Sequence, residues 1–180
     1  EMVDHDRFKH YNDTYGHEIG DLELSTTGRL FRMHPEGDIG VRWGGDEYLR
    51  IVRNLVTETQ LGLIAARDAE LVDSFAWEAL DARFAEQPPR ISIGLVYCGQ
   101  PSREERGRMG QCDDLVNVTP EQRFDKSVEV PEGSSYDIAR KLVALADKKM
   151  YDAKRTFADS PEPHIAQVNV RIVAGKLVEI

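Results

Sequence analysis

Long apolar runs are absent from this sequence. Uncharged apolar stretches such as residues 61–66 are short, whereas a membrane-spanning helix needs about 20 such residues. The first residues also lack the basic and apolar regions of a signal peptide. These absences predict a cytoplasmic chain with no membrane contact of its own, and they leave a membrane anchor open for a full-length protein.

Cysteines and an excess of basic residues are also missing. The only two cysteines, Cys98 and Cys112, lack the spacing of metal ligands, so we predict two reduced thiols. The formal net charge of −9 at pH 7 argues against a nucleic-acid polymer as partner, because phosphate backbones bind basic surfaces. Small phosphorylated ligands remain compatible with this charge if a metal ion bridges them to acidic side chains.

The sequence does have the length and patterning of one globular domain over residues 1–180. It opens at Glu1 on what resembles the end of a strand, so we interpret the domain as N-terminally truncated. The polar segment 99–135 is long for a loop and is interpreted as an excursion. Alternating apolar residues over 165–180 predict a terminal hairpin.

Helical and strand periodicities alternate along the chain. A first helix is predicted to end at Gly16, and a second to run from Leu22 until Pro35 stops it. The remaining predicted elements are strands at 38–43, 47–52 and 90–98, one or two helices over 57–84, and a helix over 136–155. This order predicts an α/β (α+β) domain whose helices wrap a central, mostly antiparallel sheet.

The nonapeptide "RWGGDEYLR", residues 42–50, places two glycines directly before two acids. Gly44-Gly45 could form a tight two-residue hairpin turn, which needs positive φ, and Asp46 and Glu47 would then be its solvated tip. Alternatively, the missing side chains let a ligand approach the backbone beside the acids.

Three further stretches favour the second interpretation. "DHDRFKHYNDTYGHEIGD", "RWGGDEY", "ISIGLVY" and "ADKKMYDAKR" follow one another in the chain, and together they resemble a GGDEF domain of the diguanylate cyclase family, from about Val3 to Arg155. The resemblance implies a fold similar to nucleotide cyclases and polymerase palms. It also implies condensation of two GTP molecules into cyclic di-GMP, a bacterial second messenger, with release of two pyrophosphates.

Phosphoryl transfer needs hard cations held by carboxylates. Asp4, at the end of the first strand, and Asp46 can converge on Mg²⁺ (or Mn²⁺) if their strands are adjacent. The resemblance adds the backbone carbonyl of His5. Glu47 is either a further metal ligand or the acceptor of the 3′-hydroxyl proton, and the sequence leaves both roles open.

The remaining substrate contacts follow from the resemblance. Lys9 and Lys154 are expected near the phosphates, Phe8 in the substrate site, and Gly44 and Gly45 where ribose and phosphate approach. Guanine offers two neighbouring donors that one carboxylate can accept together. Asp21 matches the family position that accepts them, with Asn12 beside the base, whereas on its own Asp21 could simply cap the second helix.

The sequence also departs from the family at two cationic positions. Ala158 stands where the family has an Arg that holds the triphosphate. This departure leaves an alternative function: a degenerate, non-catalytic module that binds GTP or another ligand and regulates a neighbouring domain. Pro35 replaces the Arg of the family's Arg-x-x-Asp inhibitory site, while Asp38 is retained. We therefore predict no inhibitory site, with Asp38 a turn or strand-start residue.

The resemblance also implies partners. Each GTP must supply the hydroxyl that attacks the other, which implies a transient antiparallel homodimer. A sensory or regulatory domain is expected to precede this one. Some acids and histidines receive only structural roles: Asp6 and Asp13 as helix caps or solvated turns, His17 as support for the turn at Gly16, and His10, His34 and His164 as surface residues.

Overall fold

The computed structural model describes residues 1–31, 38–53, 57–99, 132, 135–157, 160, 162–173 and 176–180. Several predictions fall outside these residues: those on His34, Pro35, Cys112 and Ala158, almost all of the excursion at 99–135, and the turn at residues 174–175.

The elements are six strands and five α-helices within the described residues. The strands are β1 (Met2–His5), β2 (Ile39–Arg42), β3 (Glu47–Ile51), β4 (Ile91–Cys98), β5 (His164–Val173) and β6 (Lys176–Glu179). The helices are α1 (Phe8–Tyr15), α2 (His17–Phe31), α3 (Glu58–Asp73), α4 (Trp77–Leu80) and α5 (Ser135–Phe157), and a 3₁₀ turn spans Ala82–Phe84. The strands form one sheet in the order β2-β3-β1-β4-β5-β6. Strand β1 pairs with β3 and β4, β2 with β3, and β5 with β6, and all four pairings are antiparallel, in agreement with the predicted mostly antiparallel sheet.

The boundary between the first two helices differs from the prediction. Gly16 ends α1 with a φ of 85°, a conformation that glycine adopts without steric cost. The second helix then starts at once, at His17 rather than at Leu22. Asp21 consequently lies inside α2, so the alternative that it simply caps this helix is wrong.

By its internal contacts the chain divides into two compact units: Glu1–Leu95 with Ala146–Gln167, and Val96–Leu145 with Val168–Ile180. The second unit contains the predicted terminal hairpin, in which Val170 pairs with Glu179 and Val173 with Lys176. The alternating residues Val168, Val170 and Ile172 of β5 are buried.

The first unit has an aromatic core. Tyr11, Trp77 and Phe84 are almost fully buried, and the ring of Phe84 lies 5.8 Å from that of Tyr11 and 5.5 Å from that of Trp77. Helix α5 packs directly on β4, because a Cβ at Gly94 would lie 2.0 Å from the carbonyl oxygen of Ala146. Only glycine permits this approach, which brings the second half of α5 onto the sheet.

Candidate active site

The glycine pair forms part of a four-residue connection between β2 and β3. Residues 43–46 link the strands, and the only described glycine with positive φ is Gly16, so the two-residue turn of positive φ is wrong for Gly44 and Gly45. The guanidinium of Arg42 braces the connection by donating two hydrogen bonds, of 3.1 and 2.6 Å, to the carbonyl oxygen of Gly45.

The two glycines have different surroundings. A Cβ at Gly44 would lie 2.6 Å from Oε2 of Glu47, so this glycine makes room for the Glu47 carboxylate. A Cβ at Gly45 would meet no described atom within 4 Å. The space expected for ribose and phosphate is therefore open at Gly45, whereas at Gly44 it holds an acid of the site.

The predicted acids do lie together at adjacent strands. Strands β1 and β3 pair with Asp4 opposite Glu47, and the N–H of His5 donates to the carbonyl oxygen of Asp46 at 3.3 Å. Asp46 and Glu47 are partly exposed, while Asp4 is buried. The sheet register thus gathers three carboxylates that are up to 43 positions apart in the chain (47 − 4).

Lys154 of α5 completes this cluster. Its ammonium group donates hydrogen bonds to Oδ1 of Asp4 and, at 3.3 Å, to the backbone carbonyl of His5. Burial raises the pKa of Asp4 to about 6; Lys154 lowers that pKa, and the neighbouring carboxylates of Asp46 and Glu47 raise it. Burial also raises the pKa of Glu47, together with the charges of Asp147 and Asp46.

These groups suit a hard cation. The Asp4 carboxylate and the His5 carbonyl already share one cationic group, and the mutual repulsion of the acids would be relieved by positive charge. Within the described ranges, no three or more His, Cys, Asp or Glu side chains are arranged to enclose a metal ion. A Mg²⁺ bound through one or two carboxylates and substrate phosphates does not require such a cage.

The residues expected around the base lie on α1 and α2. A Cβ at Gly20 would lie 2.2 Å from Oδ1 of Asn12 and 3.0 Å from Cζ of Phe8, so the structure brings these three residues together. Asp21 follows Gly20 on α2 and is exposed, as is Lys9 on α1. Both predicted base contacts, Asn12 and Asp21, are therefore presented by the same helix pair.

A cavity of about 800 Å³ lies between α2 and the β2–β3 hairpin. Its lining includes Asp21, Arg29, Phe31, Asp38 and Arg42. Asp38 is not free at this wall. Its carboxylate accepts hydrogen bonds from Arg50, at 2.6 and 3.2 Å, and from the backbone N–H of Arg53 at 3.2 Å.

Sequence reasoning missed two buried ionic groups near the site. Nδ1 of His5 lies 2.5 Å from Oε1 of Glu23, and both side chains are fully buried. Nη1 of Arg50 lies 2.5 Å from Oδ2 of Asp68, which is also buried. The available signal was charge in otherwise apolar elements: Arg50 interrupts the apolar pattern of β3, and Glu23 lies between Leu22 and Leu24 in α2.

Two structural roles predicted for acids and a histidine are wrong. Asp6 lies in the turn before α1 but neither caps that helix nor is solvated: Arg7 occupies the N-cap, and the Asp6 carboxylate accepts a hydrogen bond from Ser92 and contacts His164. His164 is 4% exposed rather than a surface residue. Asp13 is exposed within α1, not at a helix end, and His10 is exposed as predicted.

An antiparallel sheet wrapped by helices, with carboxylates at the ends of neighbouring strands, defines the α+β class that the sequence predicts. A family profile described as "Diguanylate cyclase, GGDEF domain" matches residues 2–126. The chain belongs to the GGDEF family.

Individual relatives agree with this assignment. The chain is 41% identical over 63 residues to diguanylate cyclase DgcM of Escherichia coli K12, a match covering 34% of this chain and 15% of DgcM. It is 37% identical over 120 residues to diguanylate cyclase DgcZ of the same strain, covering 59% of this chain and 40% of DgcZ. The chain thus spans less than half the length of either relative.

A solved structure shares the fold. The GGDEF domain of DgcB from Caulobacter crescentus, crystallised in complex with c-di-GMP, superposes with a TM-score of 0.57 at 19% identity, covering 92% of this chain and 74% of that domain. No described helix is both long enough and apolar enough to span a membrane.

Proposed function

We propose that this chain is a catalytically active diguanylate cyclase domain that condenses two GTP into cyclic di-GMP. The observation that carries the proposal is the convergence of Asp4, Asp46 and Glu47 at adjacent strands, with the Lys154 ammonium against Asp4. Acids held together at a cost in electrostatic repulsion are typical of sites that bind cations and transfer phosphoryl groups.

One group of residues would bind the phosphates of the nucleotide and the metal ion, and a second group would bind the guanine. Asp4, the His5 carbonyl, Asp46 and Glu47 would hold Mg²⁺ or Mn²⁺, which when bound neutralises charge that develops on the α-phosphate. Lys154 and Lys9 would contact the phosphates. Because burial and neighbouring acids raise the pKa of Glu47, this carboxylate also suits acceptance of the 3′-hydroxyl proton.

The guanine end would bind across α1 and α2. Asn12 lies over Gly20 together with Phe8, and the exposed Asp21 carboxylate would accept the two neighbouring donors of guanine. Adenine presents an acceptor at its N1 and would leave that carboxylate without a partner there. The site therefore favours GTP over ATP.

The reaction would proceed in a transient antiparallel homodimer, because each GTP supplies the hydroxyl that attacks the other. The relatives are longer than this chain, which supports a further, regulatory domain in the full-length protein. With GTP as its substrate, the domain would act in the cytoplasm.

A second candidate is a GTP-binding module without catalysis, which Ala158 in place of the family Arg favours. One experiment separates the two functions. The chain is incubated with Mg²⁺ and GTP, and cyclic di-GMP is measured by mass spectrometry, beside Asp46→Ala and the control Glu78→Ala, whose exposed side chain lies on α4.

We expect product from the wild type and from Glu78→Ala, and none from Asp46→Ala, which should unfold at the wild-type temperature because Asp46 packs no core. GTP binding without product in the wild type would establish the binding module instead. Near-normal product from Asp46→Ala would refute the assigned metal site.

A further inference from the structure

The turn that joins β1 to α1 is conformationally strained. Arg7, at the N-cap of α1, has a φ of 62°, in the left-handed region that non-glycine residues avoid, and its side chain makes no capping hydrogen bond. Such a conformation persists when the surrounding structure holds it. The geometry of this turn matters because the turn connects the His5 carbonyl with the helix that carries Phe8 and Asn12.

Asp6 is the residue through which the turn is held. Its backbone N–H donates to the carbonyl oxygen of Arg90 at 2.9 Å. Its carboxylate accepts a hydrogen bond of 2.7 Å from the Ser92 hydroxyl at Oδ1, and Oδ2 lies 2.9 Å from Nδ1 of His164. Three contacts thus converge on one residue of the turn: one from β4, one from the residue that precedes β4, and one from β5.

His164 is held in turn by the segment that precedes β5. Its Nε2 lies 3.4 Å from the carbonyl oxygen of Ser160. Arg90 donates hydrogen bonds to the carbonyl oxygens of Ser160, at 2.8 Å, and Glu162, at 2.9 Å. Ser160 and Glu162 are therefore held by the residue that precedes β4, and the buried imidazole of His164 faces Asp6.

We infer that His164 is a positioning residue for the proposed cyclase site, acting through Asp6. It holds the turn of residues 5–7 and so fixes the His5 carbonyl, which accepts from Lys154, beside the Asp4 carboxylate. The inference rests on the proposed function. The guanine contacts do not depend on the contact between His164 and Asp6, because Asn12 and Phe8 are placed by the packing of α1 against Gly20 of α2.

Because His164 acts on the His5 carbonyl and not on the guanine contacts, its loss should change kcat and KM to different extents. His164→Leu removes the polar contact with Asp6, and we expect kcat to fall about ten- to hundredfold, the usual effect of losing a partner that orients a metal ligand. KM for GTP should change by about threefold or less, since the base contacts are retained. His164→Asn keeps an amide donor near the position of Nδ1 and should recover most of kcat, whereas a purely space-filling role would be served better by leucine.

His10→Gln is the matched control, because His10 is exposed on α1 and its Nδ1 lies 3.3 Å from the hydroxyl of Thr14 on the same helix. If His164→Leu does not fold, Ser92→Ala removes the other side-chain contact of Asp6 and should lower kcat in the same way. Wild-type kcat in a folded His164→Leu or Ser92→Ala variant overturns the inference, as does a rise in KM alone.

Amide hydrogen exchange of the peptide covering residues 5–10 gives a readout that needs no product. With Mg²⁺ and a non-hydrolysable GTP analogue present, we expect faster exchange there in His164→Leu than in the wild type or His10→Gln. Equal exchange overturns the inference even if the wild type makes no cyclic di-GMP. If the wild type makes no product but the exchange difference is observed, the proposed function is refuted, while the conclusion that His164 holds the turn of residues 5–7 through Asp6 stands.

Discussion

The ammonium group of Lys154 contacts the carboxylate of Asp4 across 150 positions of the chain. This contact ties α5 to the strand end where the acids gather, and it opposes the rise in the pKa of Asp4 that burial produces. The Lys154 ammonium group bridges two of the proposed metal donors, because it donates to both the Asp4 carboxylate and the His5 carbonyl.

Replacing this cation should impair catalysis. We expect Lys154→Met to lower the rate of cyclic di-GMP formation by about a hundredfold, as removal of one group that stabilises transition-state charge commonly does. The control is Lys149→Met, on the same helix, whose ion pair with Asp152 spans 3.9 Å at the surface and contributes little. Equal rates for the two variants would exclude Lys154 from the phosphate site.

Gly20 provides a test of the guanine end. The Cβ in Gly20→Ala would lie 2.2 Å from Oδ1 of Asn12, and the flexible amide must move away. We expect affinity for a non-hydrolysable GTP analogue, measured by calorimetry, to fall about tenfold for loss of one hydrogen bond.

Gly28→Ala serves as the control for that substitution. Gly28 lies on the same helix, and a Cβ there would meet no described atom within 4 Å. This variant should bind the analogue normally and be about 0.5–1 kcal/mol more stable, because alanine favours helix. Normal binding by Gly20→Ala would show that Asn12 does not contact the base.

Asp21 is expected to set the choice of base. Asp21→Ser should reduce the preference for GTP over ATP by about 1.5–3 kcal/mol, the contribution of hydrogen bonds to a charged group. Competition binding of the two nucleotides measures the preference. Glu18→Ser, another exposed acid on α2, controls for the loss of charge. An unchanged preference in Asp21→Ser would assign base recognition to other residues.

Product inhibition at Asp38 should be absent. Pro35 offers no cation to the product, and the Asp38 carboxylate is already engaged by Arg50 and by the backbone of Arg53. With the active site filled by a non-hydrolysable GTP analogue, calorimetric titration of cyclic di-GMP should show no tight binding. Tight binding that Asp38→Asn abolishes would contradict this prediction.

The buried Asp68 should make stability depend on pH. Burial, and then the carboxylate of Glu1, raise the pKa of Asp68 from 3.8 to about 8, against the opposing charge of Arg50. Between these two values the folded state retains a proton that the unfolded state has released. The contribution of Asp68 to the free energy of unfolding is therefore largest below about pH 4 and is lost as pH rises towards about 8.

Asp68→Asn stays neutral at every pH and should remove this contribution to the pH dependence of the free energy of unfolding. Urea unfolding of both proteins at about pH 5, 6.5 and 8 measures it. The wild type should lose stability relative to Asp68→Asn as pH rises. A constant difference between the two proteins would show that Asp68 has an ordinary pKa in the folded state.

Local patterns predicted much of the fold correctly. The strands at 47–51 and 91–98 and the helix at 135–157 are within two residues of their predicted bounds, because alternation and helical periodicity depend on near neighbours. The start of α2 was predicted at Leu22 instead of His17 because a glycine such as Gly20 disfavours helix. In the structure that glycine is retained inside the helix, where Asn12 and Phe8 occupy the space of a side chain.

The sequence by itself determined the family and the identity of the acids, since Asp4, Asp46 and Glu47 belong to short motifs whose order along the chain is specific. Only the tertiary structure decided which charges are buried and what they contact: Asp6 with His164, His5 with Glu23, and Arg50 with Asp68. The physical reason is that a buried charge needs a partner to offset its desolvation, and strand register and helix packing choose that partner from residues distant in the chain.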